Sequence, residues 1–168
     1  PKELNRAETN VNALLDDLLP MIADRLSSKQ IQVSRTYQKD VPAGLYDGIE
    51  LKKLFLNLII NAVAAREPGG AIELRTRHNG EQDVLIEIVD KGVGMDAETK
   101  RRIFEPFFTT KEKGTGLGMA IAKQIVELHS GNLSVISEAG IGTTATVRLP
   151  VTKFLEADNK RRAVNRLT

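Results

Sequence analysis

Two asparagines, one aspartate and three glycine clusters carry the chemistry legible in this sequence. Asn57 and Asn61 lie four residues apart in Leu-Asn-Leu-Ile-Ile-Asn-Ala, on one face of a helix, with Lys53 one turn earlier. Asn is a poor choice inside a helix. The pair therefore serves a hydrogen bond across a core, a solvated face, or amide oxygens held on a rigid element for a hard cation such as Mg²⁺ beside phosphates. In Leu85-Ile-Glu-Ile-Val-Asp90-Lys-Gly92-Val-Gly94 a strand ends in a carboxylate and glycines then turn the chain. That pattern fits a capped turn, and it also fits a carboxylate in a cleft accepting a hydrogen bond from an exocyclic amine such as adenine offers. Finally, Gly114-Thr-Gly116-Leu-Gly118 runs straight into a helix. Free backbone N–H groups and the helix dipole make such a junction an anion site, to which Lys111 or Lys113 can add a point charge for a phosphate.

Seven of the thirteen glycines fall in three clusters, at 92 and 94, at 114, 116 and 118, and at 140 and 142. Each alone reads as a turn; together with their polar neighbours they suggest close approach to a ligand. The chain contains no Gly-Lys dipeptide, which excludes a Walker loop. Gly140-Ile-Gly142-Thr-Thr-Ala145 matches a dinucleotide fingerprint in letters only, since it leads into a strand and not a helix. The absence of Cys and the isolation of His78 and His129 exclude thiolate metal sites and cysteine nucleophiles, and argue against a histidine-rich zinc site. Aromatics are 4% of the chain, so the core must be aliphatic. The net charge of +2 invites a nucleic-acid reading, but residues 153–168 hold five basic and two acidic groups, leaving 19 basic and 20 acidic in the first 152 residues. No large basic surface is expected.

These residues need elements to position them. Apolar residues at 11, 14, 15, 18, 19, 22 and 26 predict a helix over 11–26, capped by Asn10 and either kinked or broken at Pro20. Residues 30–37 alternate as a strand, and 40–48 read as a Pro/Gly turn region. Residues 49–66 form the clearest helix, with Asp47 as its cap and Pro68-Gly69-Gly70 as its stop. Strands over 71–78 and 83–90 flank Asn79-Gly80 as a hairpin. Residues 91–116 read as a long loop with one short helix over 97–104. A helix then opens at Gly116 or Leu117 and ends near His129, followed by strands over 133–137 and 143–149. Hairpins, with helices between them, predict a two-layer α/β (α+β) sandwich, with a mixed, mostly antiparallel sheet and helices on one face.

The set Asn57/Asn61, Asp90-Lys-Gly-Val-Gly94, Phe104-Glu-Pro-Phe-Phe108, Gly114-Thr-Gly-Leu-Gly118 and Gly142-Thr143 resembles the ATP-binding catalytic domain of bacterial sensor histidine kinases, a member of the Bergerat-fold ATPase superfamily. The resemblance covers residues 11–150, and Phe-Glu-Pro-Phe-Phe-Thr-Thr-Lys before the glycine loop is most similar to the nitrogen-regulation (NtrB-like) subgroup. It implies ATP and Mg²⁺ as cofactors, with Asn61 as the metal ligand and Asn57 as its partner in catalysis. It implies that Asp90 reads adenine, that Gly92 and Gly94 let the backbone approach the base, and that Thr143 helps hold adenine through its hydroxyl. Gly114, Thr115, Gly116, Leu117 and Gly118 correspond to the phosphate-cradling end of a lid over about 91–116, anchored by Phe104, Phe107 and Phe108. Where many histidine kinases carry basic or aromatic residues after the metal-binding Asn, this chain has Ala64 and Ala65. Phosphate charge then falls to Lys53, Arg66, Lys111 or Lys113, with Lys111 assigned to catalysis and Lys53 to nucleotide binding.

The resemblance further implies that residues 1–10 are a linker from a dimerisation domain, that 11–150 are the catalytic domain, and that 151–168 are a basic tail. Neither His78 nor His129 stands in the family's acceptor context, so the phosphoacceptor histidine is expected on that other domain of the same protein. The expected further partner is a response-regulator receiver domain, with no nucleic acid, no membrane contact by these residues, and a cytoplasmic location that is compatible with a membrane-anchored sensor. An anti-sigma-factor-like serine kinase and a nucleotide-binding interaction module without catalysis are the alternatives.

Overall fold

The computed structural model describes residues 2–66, 68–80, 82–110 and 114–152. Lys111, Lys113 and the basic tail from residue 153 lie outside the described residues.

The first amphipathic stretch folds as the sequence predicts, and breaks where proline sits. Asn10 accepts the Ala13 N–H at 3.0 Å and opens α1, Val11–Leu18. Pro20 falls in a 3-10 turn over Leu19–Ile22, and α2 continues over Ala23–Ser28. The central helix α3, Gly48–Ala64, is capped by Asp47, whose carboxylate accepts the Glu50 N–H. Its 17 residues bury Leu51, Leu54, Phe55, Leu58, Ile59, Ala62 and Val63. Lys29 closes the other end: its ammonium donates to the Val63 and Arg66 carbonyls, each at 3.1 Å. A short helix α4, Ala97–Arg102, stops before the predicted Phe104, and α5 spans Gly118–Leu128, starting just after the predicted opening.

The sheet is five-stranded, in the order β2–β4–β5–β7–β6. Its strands are β2 (Gln32–Tyr37), β4 (Ala71–Asn79), β5 (Asp83–Asp90), β6 (Asn132–Glu138) and β7 (Gly142–Pro150). Only β2–β4 is parallel. Alternation places Ile72, Leu74, Val84, Ile86, Ile88, Val147 and Leu149 on the face that packs with α1, α3 and α5 in one aliphatic core. The opposite face carries ion pairs, among them Arg75–Glu73, Arg77–Glu87 and Arg148–Asp83. The predicted two-layer, mixed, mostly antiparallel sandwich is the architecture found.

One feature differs from expectation. Residues 7–9 form β1 (Ala7–Thr9), paired antiparallel with β3 (Gly44–Tyr46) in a separate two-stranded sheet, where a linker and a turn region are expected. Around it the N-terminal segment grips both long helices. The Asn5 N–H donates to the Asp47 carboxylate at 2.9 Å, Arg6 donates to the Leu45 and Leu128 carbonyls, and Lys2 pairs with Glu50.

Candidate nucleotide site

The register of the sheet builds one end of the site. Ile72, Asp90, Thr143 and Ser137 stand side by side on β4, β5, β7 and β6, on the face turned toward the helices. Asp90 is 6% exposed, and burial pushes its carboxyl above the usual range. The backbone N–H groups of Gly92 and Thr143 and the charge of Arg66 work against that shift; the Gly92 N–H lies 2.8 Å from Oδ1. The two bonded N–H groups leave further lone pairs of the carboxylate available.

The glycines next to Asp90 are demanded by contact. A β-carbon at Gly92 would sit 2.3 Å from the Ala65 carbonyl oxygen, and one at Gly142 would sit 2.2 Å from the Asp90 oxygen. Gly94, at φ +65°, would meet the Glu138 oxygen at 1.9 Å. The Val93 N–H donates to Ala65, and Val93 in turn accepts from Gly140. The turn after β5 is therefore packed between the end of α3 and the β6–β7 hairpin. The 140–142 glycine pair leads into β7, so the apparent dinucleotide fingerprint is a hairpin turn.

The other end of the site lies along α3. Asn57 and Asn61 are both partly exposed, and the Asn57 amide oxygen lies 3.3 Å from where a β-carbon at Gly118 would stand. Gly118 begins α5, whose N-terminus has no side-chain cap among the described residues; the Leu117 N–H lies 3.4 Å from the Thr115 hydroxyl. Gly116, at φ +73°, packs on the Phe107 backbone, and the Phe107 N–H donates to its carbonyl at 2.9 Å. At 1.5 Å per residue, Asn57 and Ala65 are about 12 Å apart along the helix. An amide-and-glycine end and a carboxylate end thus face the same helix, one suited to anions and a hard cation, the other to hydrogen-bond donors.

The basic residues divide between these ends. Lys53 is paired with Glu50 at 2.9 Å, one turn before Asn57. Glu50 is shared with Lys2, and bonds to the two lysines hold its carboxyl below the usual range. Arg66 belongs to the Asp90 end: its guanidinium donates to the Gly69 carbonyl, and its Nε is buried with no hydrogen-bond partner among the described residues. Among the aromatics, Phe104 packs on the core with the Lys123 ammonium 5.2 Å from its ring, and Arg102 covers Phe108 at 4.4 Å. Phe107 is 75% exposed. Sequence reasoning passed over Ser137, whose hydroxyl touches Met95, Gly142 and Thr143. Alternation along β6 and the hairpin register were the signals that pointed to it.

The histidines stand apart from this site. His78 sits in the β4–β5 hairpin, with Nδ1 2.7 Å from the Gly80 carbonyl. His129 is 1% exposed between Asp47 N–H and Ile125 C=O, at 3.0 and 2.8 Å. An amide can only donate and a carbonyl can only accept, so Nε2 is the acceptor and Nδ1 carries the proton. Burial pushes its pKa down. Among the described residues no cluster of three His, Cys, Asp or Glu side chains is placed to hold a metal, and no helix is long and apolar enough to cross a membrane.

A helix-on-sheet sandwich with a buried strand-end carboxylate, two helix asparagines and a glycine loop opening a helix defines a nucleotide-binding class of fold. Residues 46–153 match the family of histidine kinase-, DNA gyrase B- and HSP90-like ATPases, and the chain belongs to that family. Sporulation kinase E of Bacillus subtilis is 32% identical over 93% of this chain and 21% of its own length. The sensor histidine kinase ZraS of Escherichia coli is 36% identical over 90% of this chain and 32% of its own. The chain therefore spans about a fifth to a third of these curated relatives. Among solved structures, full-length ShkA in complex with AMPPNP superposes with a TM-score of 0.81 at 28% identity, over 90% of this chain and 32% of that one. The catalytic domain of the histidine kinase ThkA superposes with a TM-score of 0.80 at 25% identity, over 89% of this chain and 97% of that one.

Proposed function

We propose that this chain is the ATP-binding catalytic domain of a sensor histidine kinase, and that it donates the γ-phosphoryl group of Mg²⁺-ATP to a histidine on a dimerisation domain of the same protein. The observation that carries the reading is the buried Asp90 carboxylate, with lone pairs free, beside glycines that admit no side chain. Asp90 and Thr143 bind the exocyclic amine of adenine, while Gly92 and Gly94 keep the backbone close to the base. Thr115, Gly116, Leu117, Gly118 and the N-terminal start of α5 bind the phosphates. The AMPPNP complex of ShkA supports an adenine nucleotide as the ligand.

The amide oxygens of α3 fit a hard cation, with Asn61 as the ligand and Asn57 beside it. When bound, Mg²⁺ supplies charge neutralisation at the β- and γ-phosphates. The residues of this chain contribute mainly position: α3 and α5 hold the triphosphate, and the packed turn after Asp90 fixes the base. Asn57 cannot take a proton from water as a carboxylate can, which suits transfer to a protein acceptor over hydrolysis. Lys53 contributes its charge from the Glu50 pair, and Lys111, outside the described residues, is assigned to catalysis. The lid spans residues 91–116, and residues 1–10 are the linker to the acceptor domain. A response-regulator receiver domain then takes the phosphoryl group, in the cytoplasm where ATP is supplied.

The test is transfer of labelled phosphate. The full-length protein, given γ-labelled Mg²⁺-ATP, should acquire acid-labile phosphate on a histidine outside residues 1–168. These residues alone should bind nucleotide and acquire none. Label on His78 or His129 would contradict the assignment.

A further inference from the structure

We propose that Ser137 is a specificity-determining residue of this site: by fixing the direction of the Thr143 hydroxyl, it selects a 6-aminopurine nucleotide over a 6-oxopurine one. This rests on the reading that Asp90 and Thr143 face the base. The Ser137 oxygen has three neighbours: the Met95 N–H at 2.9 Å, the Gly142 carbonyl at 3.1 Å and the Thr143 hydroxyl at 2.7 Å. A hydroxyl owns one proton and two lone pairs. The Met95 N–H can only donate, so it occupies one lone pair. The Gly142 carbonyl can only accept, so it takes the proton. The one arrangement that satisfies all three contacts uses the second lone pair to accept from Thr143.

The Thr143 proton is thereby turned toward Ser137, away from Asp90. What Thr143 then offers a ligand is lone pairs. Its neighbour across the β5–β7 ladder is Asp90, whose carboxylate offers lone pairs as well. Two acceptors side by side match the two N–H donors of an exocyclic amine. They oppose the carbonyl oxygen that hypoxanthine carries at the same position, because acceptor would face acceptor with no proton between. Reversing the Ser137–Thr143 bond would let Thr143 donate, but it would take the Ser137 proton from the Gly142 carbonyl. Ser137 also ties this choice to the turn beyond Asp90, through Met95, so base reading and turn position share one hydroxyl.

Ser137→Ala removes the partner that fixes the Thr143 proton and lets that hydroxyl rotate to donate. The experiment measures affinities of Mg²⁺-ATP and Mg²⁺-ITP for the wild-type chain and for Ser137→Ala, Ser137→Thr and Thr143→Val. The expected result is a fall of about tenfold in the ATP-to-ITP preference for Ser137→Ala, the scale of one hydrogen bond. Ser137→Thr should restore it. In the Thr143→Val background, which lowers the preference by itself, Ser137→Ala should change it no further. A merely structural role would weaken both nucleotides by the same factor, and an unchanged ratio overturns the proposal. Should Ser137→Ala not fold, an unchanged ratio in Thr143→Val does the same. Asp90→Asn separates the two levels of the argument. If it alters ATP affinity while Ser137→Ala leaves the ratio intact, only the role of Ser137 falls. If wild type binds both nucleotides alike and Asp90→Asn changes neither, the adenine reading itself falls.

Discussion

His129→Ala and His129→Gln test the buried joint that fixes α3 relative to α5. His129 closes α5, and its ring accepts from the residue that caps α3. In His129→Ala the Asp47 N–H loses its acceptor inside the protein, which costs about 2 kcal/mol. The void left by a ring that is 1% exposed adds about 2 kcal/mol. A loss near 4 kcal/mol is a large share of the stability of an ordinary domain. His129→Gln keeps an acceptor in the pocket and should cost about half as much. The pH dependence is the sharper test. The folded pKa of His129 is pushed down by burial, so the unfolded chain binds more protons as pH falls below about 6.5. The contribution of His129 is therefore complete above that pH and is lost on acidification, at up to about 1.4 kcal/mol per pH unit. Asp90 acts in the opposite sense, since its folded pKa is raised. Subtracting the His129→Gln curve from the wild-type curve isolates the histidine. Urea unfolding followed by circular dichroism at pH 8, 7, 6 and 5.5 reads both quantities. A difference curve that stays flat across that range, or rises toward acid, refutes the buried neutral tautomer.

Other residues make equally specific demands. Gly142→Ala places a β-carbon against the Asp90 carbonyl at a φ of +143°, whereas Gly140→Ala meets nothing within 4 Å at a φ of +79°. Thermal unfolding should show a loss of about 1 kcal/mol for Gly140→Ala, from the left-handed backbone alone, and a several-fold larger loss with weakened nucleotide binding for Gly142→Ala. Lys29→Met removes the bonds to the Val63 and Arg66 carbonyls at the end of α3; it should destabilise by about 1–2 kcal/mol in urea titrations, with nucleotide affinity falling because Ala65 holds the turn beyond Asp90. Burial raises the Asp90 carboxyl; with its ionised form accepting from the amine as proposed above, nucleotide affinity measured against pH should begin to fall at a pH above the ordinary aspartate range. Asp90→Asn should remove that inflection.

Local chemistry written in consecutive residues was visible in the sequence. The α3 cap at Asp47, the break at Pro20, both long hairpins and the Asp90-Lys-Gly-Val-Gly turn follow from patterns a few residues long. What escaped depends on partners far away in the chain. Strands β1 and β3 are three residues each, too short to show an alternation, and they pair across 35 to 39 positions. The burial of His129 needs Asp47, and the function of Lys29 needs the end of α3. Ser137 gains its role only from the register that sets it beside Thr143. Arg66 and Lys53, alike as free cations in the sequence, separate to opposite ends of one helix once their neighbours are known.

Whether Asp90 reads the base is tested most directly by calorimetry of Mg²⁺-ATP binding to this chain and to Asp90→Asn. The wild-type chain should bind saturably, and Asp90→Asn should lose about 10- to 100-fold in affinity, the scale of one hydrogen bond to a charged group. Absence of binding at millimolar Mg²⁺-ATP, or equal affinity for the two proteins, would contradict this reading.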